Sequence, residues 1–497
     1  MRVVSTSAAL IFMMALVKFV IMGTIVVPAW TNADETAHYS YAMEFARGNL
    51  IPVHGVTLLD EDANLSQNGE GPPRTNYVLS HPPLYYLAIA PFGAVALLFT
   101  DDPVSILKVL RIVTSIMSAA AVAVIFMTAT ELKLSPTASW SIVGITLATP
   151  HFNSLSGGVS NDIGVFLAAA VGSLFLARYL RTGLWKDEFF CLTAFAASAV
   201  CKSTGLPLFV GIAAFFAVMR VRDGRLSVAA FGALVAVSSP LIVWHLLGYI
   251  YYGEFVRFGS LRTERALDPS EFTFWDFITK SPVMDHFMAS FHGHTWIRRS
   301  VQDIVMIYVP DGLERTLYIA LIGALLTAVS IVFMLDRRYW PQSVALRAVS
   351  LAVAAVVGIA GAYLIVGRTP ASFLVSGSLG FLGAACVVQG LMILDRSNEA
   401  QTRFTMLVIA AFFCMVIVAL WNIYQVQLIY GRPRAMHGRY FYSLAPMFLI
   451  ALVAVLDRRY VRWALPSVLV LFVGLESLYW NGSALPIYTA FYSMTGG

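Results

Sequence analysis

Asp34-Glu35-Thr36-Ala37-His38-Tyr39 sets two carboxylates and an imidazole in one short stretch. If that stretch is helical, His38 falls on the same face as both acids, four residues after Asp34 and three after Glu35. Such a set can serve as a base, a metal ligand or a phosphate-orienting group. Glu35 with His38 is the pair best placed for a divalent metal, whose identity the spacing leaves open. The two acids also suit a helix N-terminus through its dipole. Asn161-Asp162, after the small residues Ser156-Gly157-Gly158, is a second acidic position or a helix cap. Lys202-Ser203-Thr204 places an ammonium at the edge of an apolar run, where it either meets a ligand or snorkels to water. A Lys costs about 2.5–3.5 kcal/mol at the bilayer centre and less near the interface. Gly431-Arg432-Pro433-Arg434-Ala435-Met436-His437-Gly438-Arg439-Tyr440 is the most basic short segment. Guanidinium forks bind phosphate oxygens bidentately, so this cluster points to an anionic ligand. Headgroup contact, or pairing with Asp60, Glu61 and Asp62, is the other reading. His292-Gly293-His294 is a weak metal signal.

The elements that must hold these residues are membrane helices. Of 497 residues, 58% are hydrophobic and 12% charged, about half the charge of an ordinary soluble domain. Mean hydropathy is +0.74, and apolar runs of roughly 20 residues recur. The chain is therefore expected to be an all-α polytopic membrane protein with a single membrane domain over 1–497. Fourteen runs begin near Ala8, Pro83, Val104, Thr137, Ile163, Phe189, Gly205, Leu226, Arg315, Ala348, Ala371, Phe404, Phe441 and Trp463. If the Pro83 run does not cross, sixteen Lys/Arg fall in short loops on the N-terminal side against seven opposite, so the positive-inside rule favours about 13 crossings and a cytoplasmic N-terminus. The run from Ala8 to Pro28 is too long for a signal-peptide core and is expected to stay as the first span.

On this map two long loops face outward, 31–103 and 252–314. The first is expected to hold two juxtamembrane helices, 33–47 and 83–99. Ala37, Tyr41 and Phe45 give the former an interfacial apolar face. His81-Pro82-Pro83 opens the latter, and Tyr85 and Tyr86 suit the headgroup layer. The +5 net charge has no basic block interleaved with aromatics, so a nucleic-acid partner is excluded. Cys191, Cys201, Cys386 and Cys414 show no metal-ligand spacing. Lys18 lies mid-span with no partner that the sequence names.

Taken in order, Asp-Glu-x-x-His-Tyr after the first run, His-Pro-Pro-Leu-Tyr-Tyr at 81–86, Asn161-Asp162, Lys202-Ser203-Thr204 and His437-Gly438-Arg439-Tyr440-Phe441 make a pattern. The chain resembles the GT-C superfamily of membrane glycosyltransferases, and is similar to the protein O-mannosyltransferases and the lipid A aminoarabinose transferases. The resemblance implies a polyprenyl-phosphate sugar donor and inverting transfer to a glycan, lipid or protein acceptor on the outer face. It implies Asp34 as catalytic base with Glu35 beside it, and Asp162 as the second acidic position. It associates Lys202, Arg439 and Tyr440 with the lipid-phosphate leaving group, to which the basic cluster adds Arg434 and His437. His81 would head the segment walling the cavity, with His38 and Asn161 in support. No W-W-D-x-G motif occurs, which argues against bulk N-glycosylation. A bacterial envelope acceptor and an inner-membrane location, with the site on the periplasmic side, fit the bare architecture. Two competing classes are a lipid or lipid-linked-sugar flippase, expected to carry mid-span charges and broken helices, and a lipid-diphosphate-dependent polysaccharide polymerase or ligase.

Overall fold

The computed structural model describes residues 2–68, 71–225, 227–252, 266–280, 313–340, 344–364, 370–395, 398–431, 441–458, 461–481 and 485. The fold is all-α, and among the described residues the one β contact is an isolated bridge between Leu58 and Thr75. In chain order the helices are α1 (Arg2–Ile21), α2 (Glu35–Ala46), α3 (Glu61–Asn68), α4 (Leu84–Ala96), α5 (Pro103–Glu131), α6 (Pro136–Leu147) and α7 (Pro150–Ser156). There follow α8 (Asn161–Thr182), α9 (Trp185–Cys201), α10 (Leu206–Arg222), α11 (Val228–Tyr252) and α12 (Phe274–Lys280). The last third holds α13 (Leu313–Leu335), α14 (Val344–Leu364), α15 (Pro370–Val388), α16 (Gly390–Leu394), α17 (Ala400–Tyr430), α18 (Ala445–Leu456) and α19 (Ala464–Tyr479).

Their composition shows what solvates them. In α1, Ala8, Ile11, Ala15 and Phe19 are buried while Leu10, Met13, Met14, Val17 and Ile21 are exposed. A helix that is apolar on both its packed and its outer face belongs in lipid. Six helical segments among the described residues are long and apolar enough to cross a membrane: Ser5–Val26, Pro103–Glu131, Asn161–Thr182, Ser203–Arg222, Phe231–Tyr251 and Ala400–Tyr430. In six further apolar helices only a shorter stretch is described in full; the sequence led us to expect thirteen crossings. One reason for the difference is visible between α6 and α7. The run from Thr137 reads as one span, but Pro150 cannot continue a helix from Leu147, so the backbone breaks and restarts.

Start signals in the sequence are realised locally. Asp102 accepts from the backbone N–H of Val104 and Ser105 ahead of Pro103 at the first turn of α5. Ser135 and Pro136 do the same for α6. α1 packs on α5, α5 on α8 and α8 on α9, and α14 and α15 form a second close pair. A large apolar core runs through these spans. A separate, smaller core gathers Ala37, Tyr41, Tyr85, Tyr86, Leu107 and Val159, from α2, α4, the start of α5 and the turn before α8.

That smaller core corrects one expectation. Helices at 35–46 and 84–96 appear close to where they were expected, and α4 is shorter than the roughly 20 residues a span needs. The tyrosines do not face headgroups, however, although Phe92 of α4 is exposed. Tyr41, Tyr85 and Tyr86 are fully buried, with Tyr41 and Tyr86 stacked at 3.9 Å between ring centroids. Tyr beside small residues lets these faces of the two short helices pack on one another, while α4 exposes Leu87, Phe92 and Val95 on its other side.

Candidate active site

α1 does not end as a regular α-helix. Over Met22–Val26 it widens into a π-helical turn, in which the N–H of Val27 reaches back to the carbonyl of Met22 at 2.8 Å. This leaves the carbonyls of Gly23, Val27 and Pro28 turned to one side, where a single cation collects them. Arg111, from the third turn of α5, donates through Nη1 to Gly23 O and Val27 O, both 2.7 Å, and through Nη2 to Pro28 O at 2.8 Å. A cation at a helix C-terminus also meets the favourable end of its dipole.

The rest of the Arg111 fork holds Glu35. Nε lies 2.8 Å from Oε1 and Nη2 2.6 Å from Oε2, with the two residues 1% and 0% exposed. Glu35 Oε1 also accepts the backbone N–H of Val159 at 3.0 Å. Glu35 therefore ties the end of α1, the start of α2 and the turn before α8 together. Sequence reading missed Arg111 because it was counted among short-loop charges. The available signal was an Arg inside an otherwise apolar helix, which calls for a buried partner.

Asp34 is built differently from its neighbour. It sits at the N-cap position of α2, yet its side chain makes no capping bond, and its backbone is left-handed, with φ 57° and ψ 14°. For a residue with a Cβ this is sparsely populated and costs of order 1 kcal/mol or more. The carboxylate is partly exposed and accepts from the Tyr77 hydroxyl at 2.9 Å on Oδ1. The capping alternative is thus not realised: the side chain makes no hydrogen bond to the N–H groups it would cap.

Around it stand the other expected groups. His38 Nδ1 is 2.8 Å from the Tyr86 hydroxyl, a phenol that burial pushes well above its ordinary range and keeps neutral. Tyr85 accepts the N–H of Ser160 at 3.0 Å and passes its own proton to Thr114, 2.8 Å away, which donates in turn to Leu110 O. The His-Pro-Pro-Leu-Tyr-Tyr stretch thereby clamps the turn that leads into Asp162. Asp162 is completely buried and pairs through Oδ1 with Lys202 Nζ at 2.7 Å. Asn161 Nδ2 bonds to Cys201 O at 3.3 Å, so the start of α8 and the end of α9 are joined twice. His81 lies among these charges. Burial, then the Lys202 ammonium and then His38, hold its imidazole well below its ordinary pKa of 6.5, outweighing the opposite pull of Asp162 and Asp34.

Five of the expected site residues, Asp34, His38, His81, Asp162 and Lys202, thus share one electrostatic neighbourhood, with Glu35 and Asn161 bracing it. Arg434, His437, Arg439 and Tyr440 lie outside the described residues, as do His292 and His294. The following Phe441 and Tyr442 are buried. Glu35 and His38 do not fit a metal site: both Glu35 oxygens are taken by the guanidinium, and His38 Nδ1 faces a phenol. Among the described residues no three His, Cys, Asp or Glu side chains converge.

No protein-family profile matches the chain, and no curated protein matches it. Among solved structures it is similar to ArnT from Cupriavidus metallidurans bound to undecaprenyl phosphate, at 12% identity over 92% of this chain and 76% of that one, with a TM-score of 0.34. The apo form of the same protein gives 14% identity, 92% and 78% coverage, and a TM-score of 0.38. The cryo-EM structure of arabinosyltransferase EmbB from Mycobacterium smegmatis gives 12% identity, a TM-score of 0.31, and coverage of 93% of this chain but 41% of the other.

Proposed function

We propose that the chain is an inverting glycosyltransferase that moves a sugar from a polyprenyl-phosphate donor to an envelope glycan, lipid or protein acceptor. The ordered motifs support the GT-C resemblance, and the charge asymmetry of the short loops supports a reaction on the periplasmic face of a bacterial inner membrane. The observation that carries the proposal is Asp34: a carboxylate withdrawn from its helix-capping role, held in a strained backbone, and partly open at the edge of the bundle.

In this reading Asp34 accepts the acceptor's hydroxyl proton as the oxygen attacks the sugar C1. The C1–O bond to phosphate breaks, its electron pair leaves with the lipid phosphate, and the anomeric carbon inverts. Proton removal at one side and charge stabilisation at the other are the two requirements of such a displacement. Tyr77 fixes the rotamer of Asp34. Lys202, anchored by Asp162, meets the developing phosphate charge together with Arg434, His437, Arg439 and Tyr440 of the basic sequence segment. His81, kept neutral, adds no further cation. Glu35 acts through position, since its oxygens are committed to Arg111.

The flippase alternative has one observation in its favour, a charge pair at the break between α6 and α7. It expects lipid transport that survives loss of the Asp34 charge. Asp34→Asn, reconstituted with a polyprenyl-phosphate sugar, is expected to lose transfer by about 10³-fold or more while still binding the donor. Wild-type turnover by this variant sinks the assignment.

A further inference from the structure

Lys18, an unexplained mid-span charge in the sequence, has partners in the structure. Its Nζ donates to Glu476 Oε1 in α19 at 2.6 Å and to the carbonyl of Leu147 at 2.6 Å. Leu147 is the last residue of α6, so the ammonium sits where that helix breaks and its carbonyls are exposed. Asn153 in α7 joins the same knot. Its Nδ2 donates to Leu147 O at 2.8 Å and to the same Glu476 oxygen. Lys18 and the two short helices α6 and α7 are thus locked by one carboxylate.

The short helix α7 carries this anchor to the site. Ser154, next to Asn153, donates to Asn32 Oδ1 at 2.7 Å. The Asn32 carbonyl accepts the N–H of Glu35 at 3.2 Å, so Asn32 and Glu35 close the turn that contains the left-handed Asp34. At the end of α7, Gly157 packs backbone to backbone on Gly23, and a Cβ on Gly158 would strike the Asn32 amide at 2.3 Å. The turn then delivers Val159 to Glu35 and Ser160 to Tyr85. Each step from Glu476 to the turn that holds Asp34 is thus a hydrogen bond or a shared helix.

We infer that Glu476 is a positioning residue: through Asn153 it fixes α7, and through α7 it fixes the conformation of Asp34. The inference rests on Asp34 being the base. The charge of Glu476 answers Lys18, while its oxygen answers Asn153, and substitutions separate the two. Lys18→Met/Glu476→Gln removes both charges and keeps a carbonyl acceptor for Asn153. Lys18→Met/Glu476→Leu removes the charges and the acceptor together.

The full-length protein in nanodiscs is to be compared in both double variants. The Gln form is expected within about twofold of wild type in kcat and donor KM, whereas the Leu form loses about tenfold or more in kcat at unchanged donor KM and similar thermal stability, as small misplacements of a reacting group do. Restoring the acceptor in the Gln form is the rescue that a merely structural role would not show. Hydrogen exchange over residues 32–36 reads the coupling independently of any reaction, and is expected to quicken about tenfold in the Leu form alone. Unchanged exchange there, or equal kcat in the two forms, overturns the inference. Quickened exchange in a protein whose wild type transfers no sugar leaves the coupling standing and overturns the glycosyltransferase reading instead.

Discussion

Arg111→Met removes the group on which the end of α1 and the start of α2 converge, and its cost can be worked from the contacts. Five hydrogen bonds are lost, two to Glu35 and three to main-chain carbonyls. Stranding one member of a buried ion pair costs about 3–5 kcal/mol. Each carbonyl left unmet adds up to about 1–3 kcal/mol, though relaxation makes such terms less than additive. We expect at least about 4 kcal/mol of destabilisation, measured as the free energy of reversible unfolding in mixed micelles. Arg111→Met/Glu35→Leu removes the stranded charge but not the orphaned carbonyls, and should recover about half of the loss. Arg111→Lys should remain about 2 kcal/mol or more below wild type, because an ammonium cannot fork to a carboxylate and span three carbonyls. A loss below about 1 kcal/mol for Arg111→Met would refute the view that Arg111 joins α1, α2 and α5 energetically.

Three more outcomes follow from the same geometry. A Cβ on Gly23 would lie 2.6 Å from Gly157 O, backbone against backbone, so Gly23→Ala should cost about 1–3 kcal/mol in the same unfolding assay. His81 is neutral in the fold while the unfolded chain titrates near 6.5. Its contribution is therefore present above that pH and is lost as pH falls below it, and His81→Gln should flatten the slope of stability between about pH 6.5 and 5. Asp162→Asn/Lys202→Met keeps the packing of a buried pair without its charges; it is expected to fold yet bind polyprenyl phosphate about tenfold or more weakly by calorimetry, and unchanged affinity would remove Lys202 from the phosphate site.

The parts of the site written in consecutive residues were the legible ones. Asp34-Glu35-x-x-His38 and His81-Pro82-Pro83 announced α2 and α4 close to their observed positions, because caps and prolines act within a few residues. What those residues touch was not legible. Only the resemblance set Asp34 apart from Glu35 in the sequence; in the structure one is partly open and strained and the other is locked in a fully buried fork. That difference is set by Arg111, 76 positions away. Lys18 could be recognised as costly but not paired, since Glu476 lies at the far end of the chain and is brought near by α6 and α19 packing together. Topology was weakest where a single apolar run hides a break, as at Pro150.

The π-turn at Met22–Val26 carries a consequence for how chains of this kind can diverge. Such a turn accommodates one more residue than an α-turn, so it behaves as a single-residue insertion absorbed without a loop. Deleting any one of those five residues would let α1 run on as a regular helix. The chain after it would keep its direction, because the extra residue is taken up within the π-turn itself. The main-chain carbonyls gathered by Arg111 would instead be drawn back into bonds spanning four residues along the helix. One gap in an otherwise ordinary apolar run would weaken the Arg111 anchor while leaving the span's hydropathy unchanged, so chain length between Lys18 and Asp34 is as much a part of the machinery as the acids themselves.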